Sequence, residues 1–101
     1  MEVLNDENFS TETAEGNVLV DFYADWCGPC QMVTPILEQL DEEVDNVKIV
    51  KVDVDASATV AMKFAIRSIP TLVFLKDGKE LDRISGAPPK QLLTQKFSEL
   101  F

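Results

Sequence analysis

The sequence predicts an α/β fold in which a mixed sheet of four to five strands carries helices on both faces, in a single domain over residues 1–101. Three observations support this prediction. A strand, a helix and a second strand follow one another in the first half, and an Asp-Gly pair separates two apolar runs in the second half. The chain has 101 residues, 46% of them hydrophobic, which suits one packed core.

The first half contains the parallel part of the predicted sheet. Residues 18–23 form an apolar run, and residues 47–52 form a second run rich in β-branched side chains, so both are predicted strands. A strand, helix and strand at this spacing form a βαβ unit with parallel strands and a right-handed crossover. The helix is predicted from apolar residues at helical spacing, namely Val33, Ile36, Leu37, Leu40 and Val44.

The second half contains the antiparallel part. Residues 71–75 and 80–84 are short apolar runs on either side of Lys76-Asp-Gly-Lys79. Asp-Gly between two such runs is typical of a β-hairpin, because both residues tolerate the left-handed backbone of a tight turn. We therefore expect two antiparallel strands here.

Helices and an edge strand complete the predicted fold. Residues 56–65 form a short helix, residues 6–15 a weak one, and residues 2–4 an edge strand. The last helix begins near Pro88-Pro89, since proline fits the first helical turn. Inward-facing residues are predicted on the short helix at Val60, Ala61 and Phe64, and on the last helix at Leu93, Phe97, Leu100 and Phe101.

The composition excludes several classes of function. The formal net charge of −9 argues against nucleic acid and against anionic membrane surfaces, which both require clustered Lys and Arg. The acidity favours solubility as its main role. No apolar run approaches the roughly 20 residues of a membrane span, and residues 1–7 lack the pattern of a secretory signal. We therefore expect a cytoplasmic protein.

The two cysteines of the chain, Cys27 and Cys30, are the strongest candidates for chemistry. They lie where a predicted strand ends and a predicted helix begins. Unpaired N–H groups and the helix dipole at that point stabilise a thiolate, which is the attacking form of cysteine. Gly28 is expected to let the backbone turn and expose Cys27, and Pro29 suits the first helical turn.

The position of each cysteine predicts its role. Cys27 precedes the helix and is expected to face solvent as the nucleophile. Cys30 lies inside the first turn, is expected to be shielded, and would resolve a mixed disulfide by attacking Cys27.

Other interpretations of the cysteine pair are a zinc half-site and a structural disulfide. A zinc site needs four ligands, and the chain has no histidine and no further cysteine, so a metal site would need a dimer or carboxylates. A reducing compartment opposes a structural disulfide. The missing histidine also excludes Ser-His and Cys-His nucleophilic systems. These considerations favour redox chemistry with no bound metal.

Asp21 is the one charged residue in its predicted strand. A central parallel strand is covered on both faces, so its carboxyl should be buried and its pKa raised. Such a group could accept the proton of Cys30 during the resolving step. A structural aspartate held by hydrogen bonds is the alternative.

Two stretches of the sequence resemble the thioredoxin family. Residues 22–30 read Phe-Tyr-Ala-Asp-Trp-Cys-Gly-Pro-Cys, like the active site of that family, and residues 68–71 read Ser-Ile-Pro-Thr, like its companion loop. The similarity covers nearly the whole chain in order. It implies the thioredoxin fold and a general protein-disulfide reductase that reduces diverse protein substrates, binds no cofactor, acts as a monomer, and is re-reduced by a flavin-containing, NADPH-dependent thioredoxin reductase.

The resemblance also implies roles for single residues. It implies the same proton-accepting role for Asp21 and places Lys51 beside that carboxyl. For Lys51, an ordinary strand-end lysine that reaches solvent is an equal alternative. It implies a cis Ile69-Pro70 bond that frees the Ile69 backbone for an extended substrate, where the alternative is a proline that starts a strand. It implies a substrate groove lined by Trp26, Gly28, Pro29, Val54, Ile69, Pro70, Gly86 and Ala87.

The sequence leaves the roles of some predicted groove residues undecided. Simple packing is the alternative role for Trp26, and a turn is the alternative for Gly86. Tyr23 replaces a tryptophan that is frequent in the family, and Ser68 replaces a frequent glycine. These departures affect substrate preference and leave the cysteine chemistry intact.

Two other functions use the same fold. A binding subunit could use the groove without turnover, but the presence of both cysteines and Asp21 argues against it. A thiol oxidase or isomerase would run the same exchange in the opposite direction. The Gly-Pro pair between the cysteines and the lack of a predicted signal favour reduction.

Overall fold

The computed structural model describes residues 1–101 as five strands and four helices around one sheet. The predicted edge strand, βαβ unit, hairpin and final helix are all present. The elements in chain order are β1 (Glu2–Leu4), α1 (Phe9–Glu12), β2 (Asn17–Tyr23), α2 (Gly28–Glu43), β3 (Lys48–Asp53), α3 (Ala58–Lys63), β4 (Thr71–Lys76), β5 (Lys79–Ser85) and α4 (Lys90–Leu100).

The sheet is mixed and its strand order is β1-β3-β2-β4-β5. Strands β1, β3 and β2 are mutually parallel, whereas β4 pairs antiparallel with both β2 and β5. Strand β2 is therefore central, with β3 on one side and β4 on the other. The predicted mixed sheet is confirmed, with five strands and with residues 2–4 at its edge.

The two faces of the sheet bury separate cores, because side chains alternate along each strand. On β2, Val18, Val20 and Phe22 pack with Phe9 of α1 and Val60 of α3. Leu19 packs on the opposite face among residues of α2 and α4, including Val33, Leu37, Leu40, Leu93 and Phe97. Asp21 lies two residues after Leu19 on β2, so its side chain points to the same face of the sheet, toward α2 and α4.

The N-terminal helix is shorter than the sequence suggested. Helix α1 covers Phe9–Glu12, where we expected a weak helix over residues 6–15. The residues before it form a turn in which the Asn5 side chain accepts hydrogen bonds from the N–H groups of Glu7 and Asn8, both at 2.9 Å. Asparagine side chains bind nearby backbone in this way in competition with helix formation, which delays the helix.

The β4–β5 hairpin turns through two residues. Asp77 and Gly78 have φ angles of 50° and 82°, the left-handed conformation of a tight two-residue turn. Lys76 and Lys79 pair directly across it. Among the helices, none is long and apolar enough to span a membrane.

Candidate redox site

The cysteine pair lies at the start of α2, close after the end of β2. Cys27 is the N-cap of the helix, in an extended conformation, and its Sγ accepts a hydrogen bond of 3.2 Å from the N–H of Cys30. Pro29 occupies the first helical turn. The two cysteines form a disulfide, with their Cα atoms 5.3 Å apart. The helix N-terminus is therefore directed at the sulfur of Cys27, as the sequence predicted.

Exposure does not distinguish the two cysteines in this oxidised form. Cys27 is 4% exposed and Cys30 is 3% exposed, so the prediction that Cys27 faces solvent is wrong here. Both pack with Ala24, and the side chains of Tyr23, Val54 and Ile69 cover this cluster. What separates the cysteines is hydrogen bonding, because the sulfur of Cys27 alone accepts a helix N–H.

The glycine between the cysteines has a different role from the one expected. Gly28 is the first residue of α2 and its φ is not in the left-handed region, so a tight turn does not require glycine here. A Cβ at this position would meet no atom within 4 Å. Gly28 and Pro29 are both exposed. The glycine therefore leaves open space beside the disulfide.

Asp21 is fully buried at the centre of the sheet, opposite Lys51 on β3 and Leu72 on β4. Neither of its carboxyl oxygens has a hydrogen-bond partner. Burial raises the pKa of this carboxyl from 3.8 to about 6, and the attraction of Lys51 offsets part of the increase. The geometry does not fit a structural aspartate held by hydrogen bonds.

Lys51 is half-buried and does not extend freely into solvent. Its Nζ donates a hydrogen bond of 3.3 Å to Thr34 Oγ1 and lies 4.3 Å from the centre of the Tyr23 ring. A small cavity of about 120 Å³ lies next to these groups, which is room for water. Its lining consists of Tyr23, Ala24, Asp25, Cys30, Gln31, Thr34 and Lys51.

The loop before β4 contacts the cysteines. The Ile69-Pro70 peptide bond is cis, as the resemblance implied, and the Ile69 side chain packs against the cysteine cluster. Thr71 Oγ1 donates to the Ser68 carbonyl oxygen at 2.7 Å, which closes the loop on itself. The N–H of Gly86 donates to the Pro70 carbonyl oxygen at 2.8 Å, so the end of β5 supports the loop.

A shallow depression of about 190 Å³ lies next to the disulfide, lined by Trp26, Val54, Ile66, Arg67, Ser68 and Ile69. Trp26 is 72% exposed, so simple packing does not explain it. Its indole N–H donates to Asp55 Oδ2 at 2.8 Å, which fixes the ring. Of the predicted groove residues, Trp26, Val54 and Ile69 lie together here. The others, Gly28, Pro29, Pro70, Gly86 and Ala87, lie outside this depression.

Sequence reasoning missed several residues at the site. Thr34 lies one helical turn after Cys30, so helical spacing could have indicated it. Ile66 and Arg67 precede the recognised loop, and its motif could have been extended to them. Asp55 had no such signal, because its bond to Trp26 joins residues 29 positions apart. No group of three or more His, Cys, Asp and Glu side chains is placed to hold a metal ion.

A cysteine disulfide at the start of a helix, just after the central strand of a mixed sheet, is the arrangement of a thiol–disulfide oxidoreductase. The sequence model of the thioredoxin family matches residues 1–99. The chain therefore belongs to the thioredoxin family, and the predicted fold, family and redox activity are confirmed.

Named relatives show the same similarity. The chain is 52% identical over 91 residues to the thioredoxin of Bacillus subtilis, covering 89% of this chain and 88% of that protein. It is 46% identical over 99 residues to the thioredoxin of Chlamydia trachomatis, covering 98% and 97%. It is 47% identical over 93 residues to the thioredoxin of Listeria monocytogenes, covering 91% and 90%.

Proposed function

We propose that this chain reduces protein disulfides in the cytoplasm as a monomer, and that thioredoxin reductase restores its dithiol. The observation that carries this proposal is the bond from the N–H of Cys30 to the sulfur of Cys27 at the head of α2. Helix N–H groups and the helix dipole favour negative charge on that sulfur, which makes Cys27 the attacking thiolate once the pair is reduced.

In the first step, the Cys27 thiolate attacks one sulfur of the target disulfide. A bond forms between Cys27 and that sulfur, while the other target sulfur leaves as a thiolate and takes up a proton from solvent. The product is a mixed disulfide between this chain and its target. The burial of Cys27 in the oxidised form means that the target must enter from the open side, next to Gly28 and Trp26.

In the second step, Cys30 attacks the sulfur of Cys27. The Cys30 thiol must first lose its proton, and we assign Asp21 as the acceptor. With a pKa of about 6 this carboxyl is mostly ionised at pH 7, yet it is basic enough to take up a proton. The second target sulfur then leaves as a thiolate, the target is fully reduced, and Cys27 and Cys30 are left as the disulfide seen here.

We assign substrate binding to the groove next to the disulfide. Trp26, Val54 and Ile69 provide apolar contacts without a deep pocket, which suits many different extended segments. The Ile69 side chain packs against the cysteine cluster, and we propose, as the family resemblance implies, that the Ile69 backbone pairs with the target backbone as an added strand would. Gly28, Pro29, Gly86 and Ala87 are proposed as the rim of this surface.

The chain needs no cofactor of its own for this exchange. Each cycle moves two electrons from the cysteine pair to the target, so an external donor must supply two electrons to reduce the pair again. A flavin-containing thioredoxin reductase that takes electrons from NADPH fits this requirement. Both partners would meet Cys27 through the same open side of the site.

The direct test traps the first intermediate. A Cys30→Ser variant cannot resolve the mixed disulfide, so it should remain covalently bound to protein targets until a reductant is added. Cys27→Ser is the matched control and should capture nothing. Wild-type protein with NADPH and thioredoxin reductase should reduce a protein disulfide with many turnovers. Capture by Cys27→Ser, or target binding without any turnover by the wild type, would contradict the proposal.

A further inference from the structure

Two side chains hold Lys51 inside the cavity next to Cys30. The Tyr23 ring lies under its ammonium, with 4.3 Å from Nζ to the ring centre, and Thr34 Oγ1 accepts its hydrogen bond at 3.3 Å. Thr34 Oγ1 also donates to the Cys30 carbonyl oxygen at 3.4 Å. The threonine hydroxyl therefore connects the ammonium of Lys51 to the backbone of the resolving cysteine.

The strand register places these groups on one side of the sheet. Tyr23 lies two residues after Asp21 on β2, so both side chains leave the same face of the strand. Lys51 is directly opposite Asp21 on the parallel neighbour β3. Lys51 forms no ion pair, although the carboxyl of Asp21 is unpaired and buried next to it. Its position is set instead by an aromatic ring and a hydroxyl.

We propose that Tyr23 and Thr34 are positioning residues, which keep the Lys51 ammonium inside the cavity where it stabilises the Asp21 carboxylate for the resolving step. This inference rests on the proposed role of Asp21. Without the ring and the hydroxyl, the long lysine side chain would regain its freedom and its ammonium would move toward solvent. The attraction that favours ionised Asp21 would then weaken.

The surrounding charges would draw a released Lys51 outward. Asp25, in the loop before Cys27, and Asp53, at the end of β3, lie toward the open end of the site and are both more accessible than Asp21. Helix α2 contributes Cys30, Gln31 and Thr34 to the lining of the cavity, and none of them is charged in the disulfide form. Strand β4 places Leu72 opposite Asp21. Asp82 of β5 and Lys96 of α4 are bonded to each other at 2.6 Å.

The experiment follows the Asp21 carboxyl carbon by ¹³C NMR during a pH titration of the oxidised protein. Thr34→Ala and Tyr23→Leu should each raise the pKa of Asp21, by about 0.5 to 1. Thr34→Ser keeps the hydroxyl, Tyr23→Phe keeps the ring, and both should leave that pKa unchanged. Simple opening of the cavity to water would lower the pKa, so the direction separates positioning from loosened packing.

A second background tests whether the effect passes through Lys51. Lys51→Met should raise the pKa of Asp21 by itself, and Thr34→Ala should add nothing in that background. The proposal is overturned if Thr34→Ala leaves the pKa of Asp21 unchanged or lowers it. It is also overturned if Thr34→Ala shifts the pKa equally with and without Lys51.

The resolving reaction provides a functional readout. In Thr34→Ala the pH midpoint of mixed-disulfide resolution should move upward with the pKa of Asp21, and Thr34→Ser should restore the wild-type midpoint. An unchanged midpoint would overturn the link to resolution. Target capture by Cys30→Ser does not involve Lys51, so failure of that capture reports on the proposed function, and the NMR titration reports on positioning.

Discussion

Two aspartates on the same sheet have opposite environments. Asp82, on β5, accepts hydrogen bonds from Lys96 Nζ at 2.6 Å and from the N–H of Arg83 at 2.8 Å, and these bonds lower the pKa of its carboxyl. Asp21, on β2, has no partner for either oxygen, and burial raises its pKa to about 6. The first carboxylate is stabilised by its neighbours, whereas the second is destabilised by its place in the fold.

The difference extends to the regions around these residues. Away from the cysteines, several charged side chains are paired, as in Arg83 with Glu80 at 2.6 Å and Lys90 with Glu43 at 2.7 Å. Pairs near the surface like these contribute little stability each, and they cost little in desolvation. Near the cysteines, a carboxyl is left without a partner. A protein departs from local stability rules mainly where a function needs it, so the unpaired carboxyl is where we expect chemistry.

The largest expected effect separates the two regions by activity. Cys27→Ser should reduce the rate of protein-disulfide reduction to the uncatalysed background, because the attacking thiolate of Cys27 is lost and the sulfur of Cys30 accepts no helix N–H in its place. Asp82→Asn, which removes a charge from the paired region, should keep the wild-type rate. The measurement is NADPH consumption coupled to thioredoxin reductase and a protein disulfide. Residual turnover in Cys27→Ser, or a large loss of activity in Asp82→Asn, would contradict the expected difference between the two regions.

The next effect is the contribution of Asp21 to stability, which decreases rather than increases as the carboxyl ionises. The unfolded chain ionises Asp21 near pH 3.8 and the folded chain near pH 6, so ionisation of the folded protein costs free energy. The stability that protonated Asp21 contributes is therefore lost as the pH rises from about 4 to about 6, and it does not return at higher pH. At 1.36 kcal/mol per pKa unit, the cost at pH 8 is about 3 kcal/mol.

Asp21→Asn should recover much of this cost. We expect the free energy of unfolding to increase by about 2 to 3 kcal/mol at pH 8, and the gain to disappear near pH 4. The same variant should slow the resolving step by about 100-fold, the lower range for loss of a general base. Urea unfolding at several pH values checks the first effect. A gain that persists unchanged at pH 4 would show that packing, and not ionisation, is the cause.

Asp82→Asn should have a smaller stability effect with the opposite sign. Its lowered pKa means that the native carboxylate adds stability at neutral pH, and that this stability is lost as the pH falls below the ordinary value of 3.8. The variant should unfold at a lower urea concentration at pH 7, with a difference that narrows in acid and in high salt. A more stable Asp82→Asn protein at pH 7 would contradict the contrast with Asp21.

Periodicity and turn chemistry explain why most of the fold could be predicted. The alternation of Val18, Leu19 and Val20 serves two cores, so a run without polar residues is the expected pattern of a central strand. The Asp77-Gly78 turn has the left-handed backbone that these residues favour. The helix N-terminus at Cys27 follows from the strand and helix patterns on either side of it.

The parts that could not be predicted depend on contacts between distant segments. Cys27 is buried because Tyr23, Val54 and Ile69 pack against the cysteine cluster, and local position at a helix start contains no information about these contacts. The side of the sheet that Lys51 takes depends on register, which alternation alone leaves ambiguous. The contacts of Lys51 with Tyr23 and Thr34 join three different elements, β3, β2 and α2, so they are visible only in the folded structure.

The smallest predicted effect concerns backbone conformation in the region away from the cysteines. Ala65, after α3, and Asp77, in the hairpin, both have a left-handed backbone, with φ angles of 52° and 50°. Two hydrogen bonds offset the cost of the left-handed backbone at Asp77. Its Oδ1 accepts a hydrogen bond from the N–H of Gly16 at 2.8 Å, and its own N–H donates to the Gly16 carbonyl oxygen at 2.9 Å. The methyl group of Ala65 provides no such bond.

Ala65→Gly should therefore stabilise the protein, and Asp77→Gly should not. A left-handed backbone costs a non-glycine residue about 1 to 2 kcal/mol, and the greater freedom of glycine in the unfolded chain cancels about 0.5 to 1 kcal/mol of the relief. The net gain expected for Ala65→Gly is about 0.5 kcal/mol by urea unfolding. Asp77→Gly also loses the hydrogen bond from the Gly16 N–H to the aspartate side chain. Equal gains in the two variants would show that the aspartate bond adds nothing, and that φ alone decides the cost at both positions.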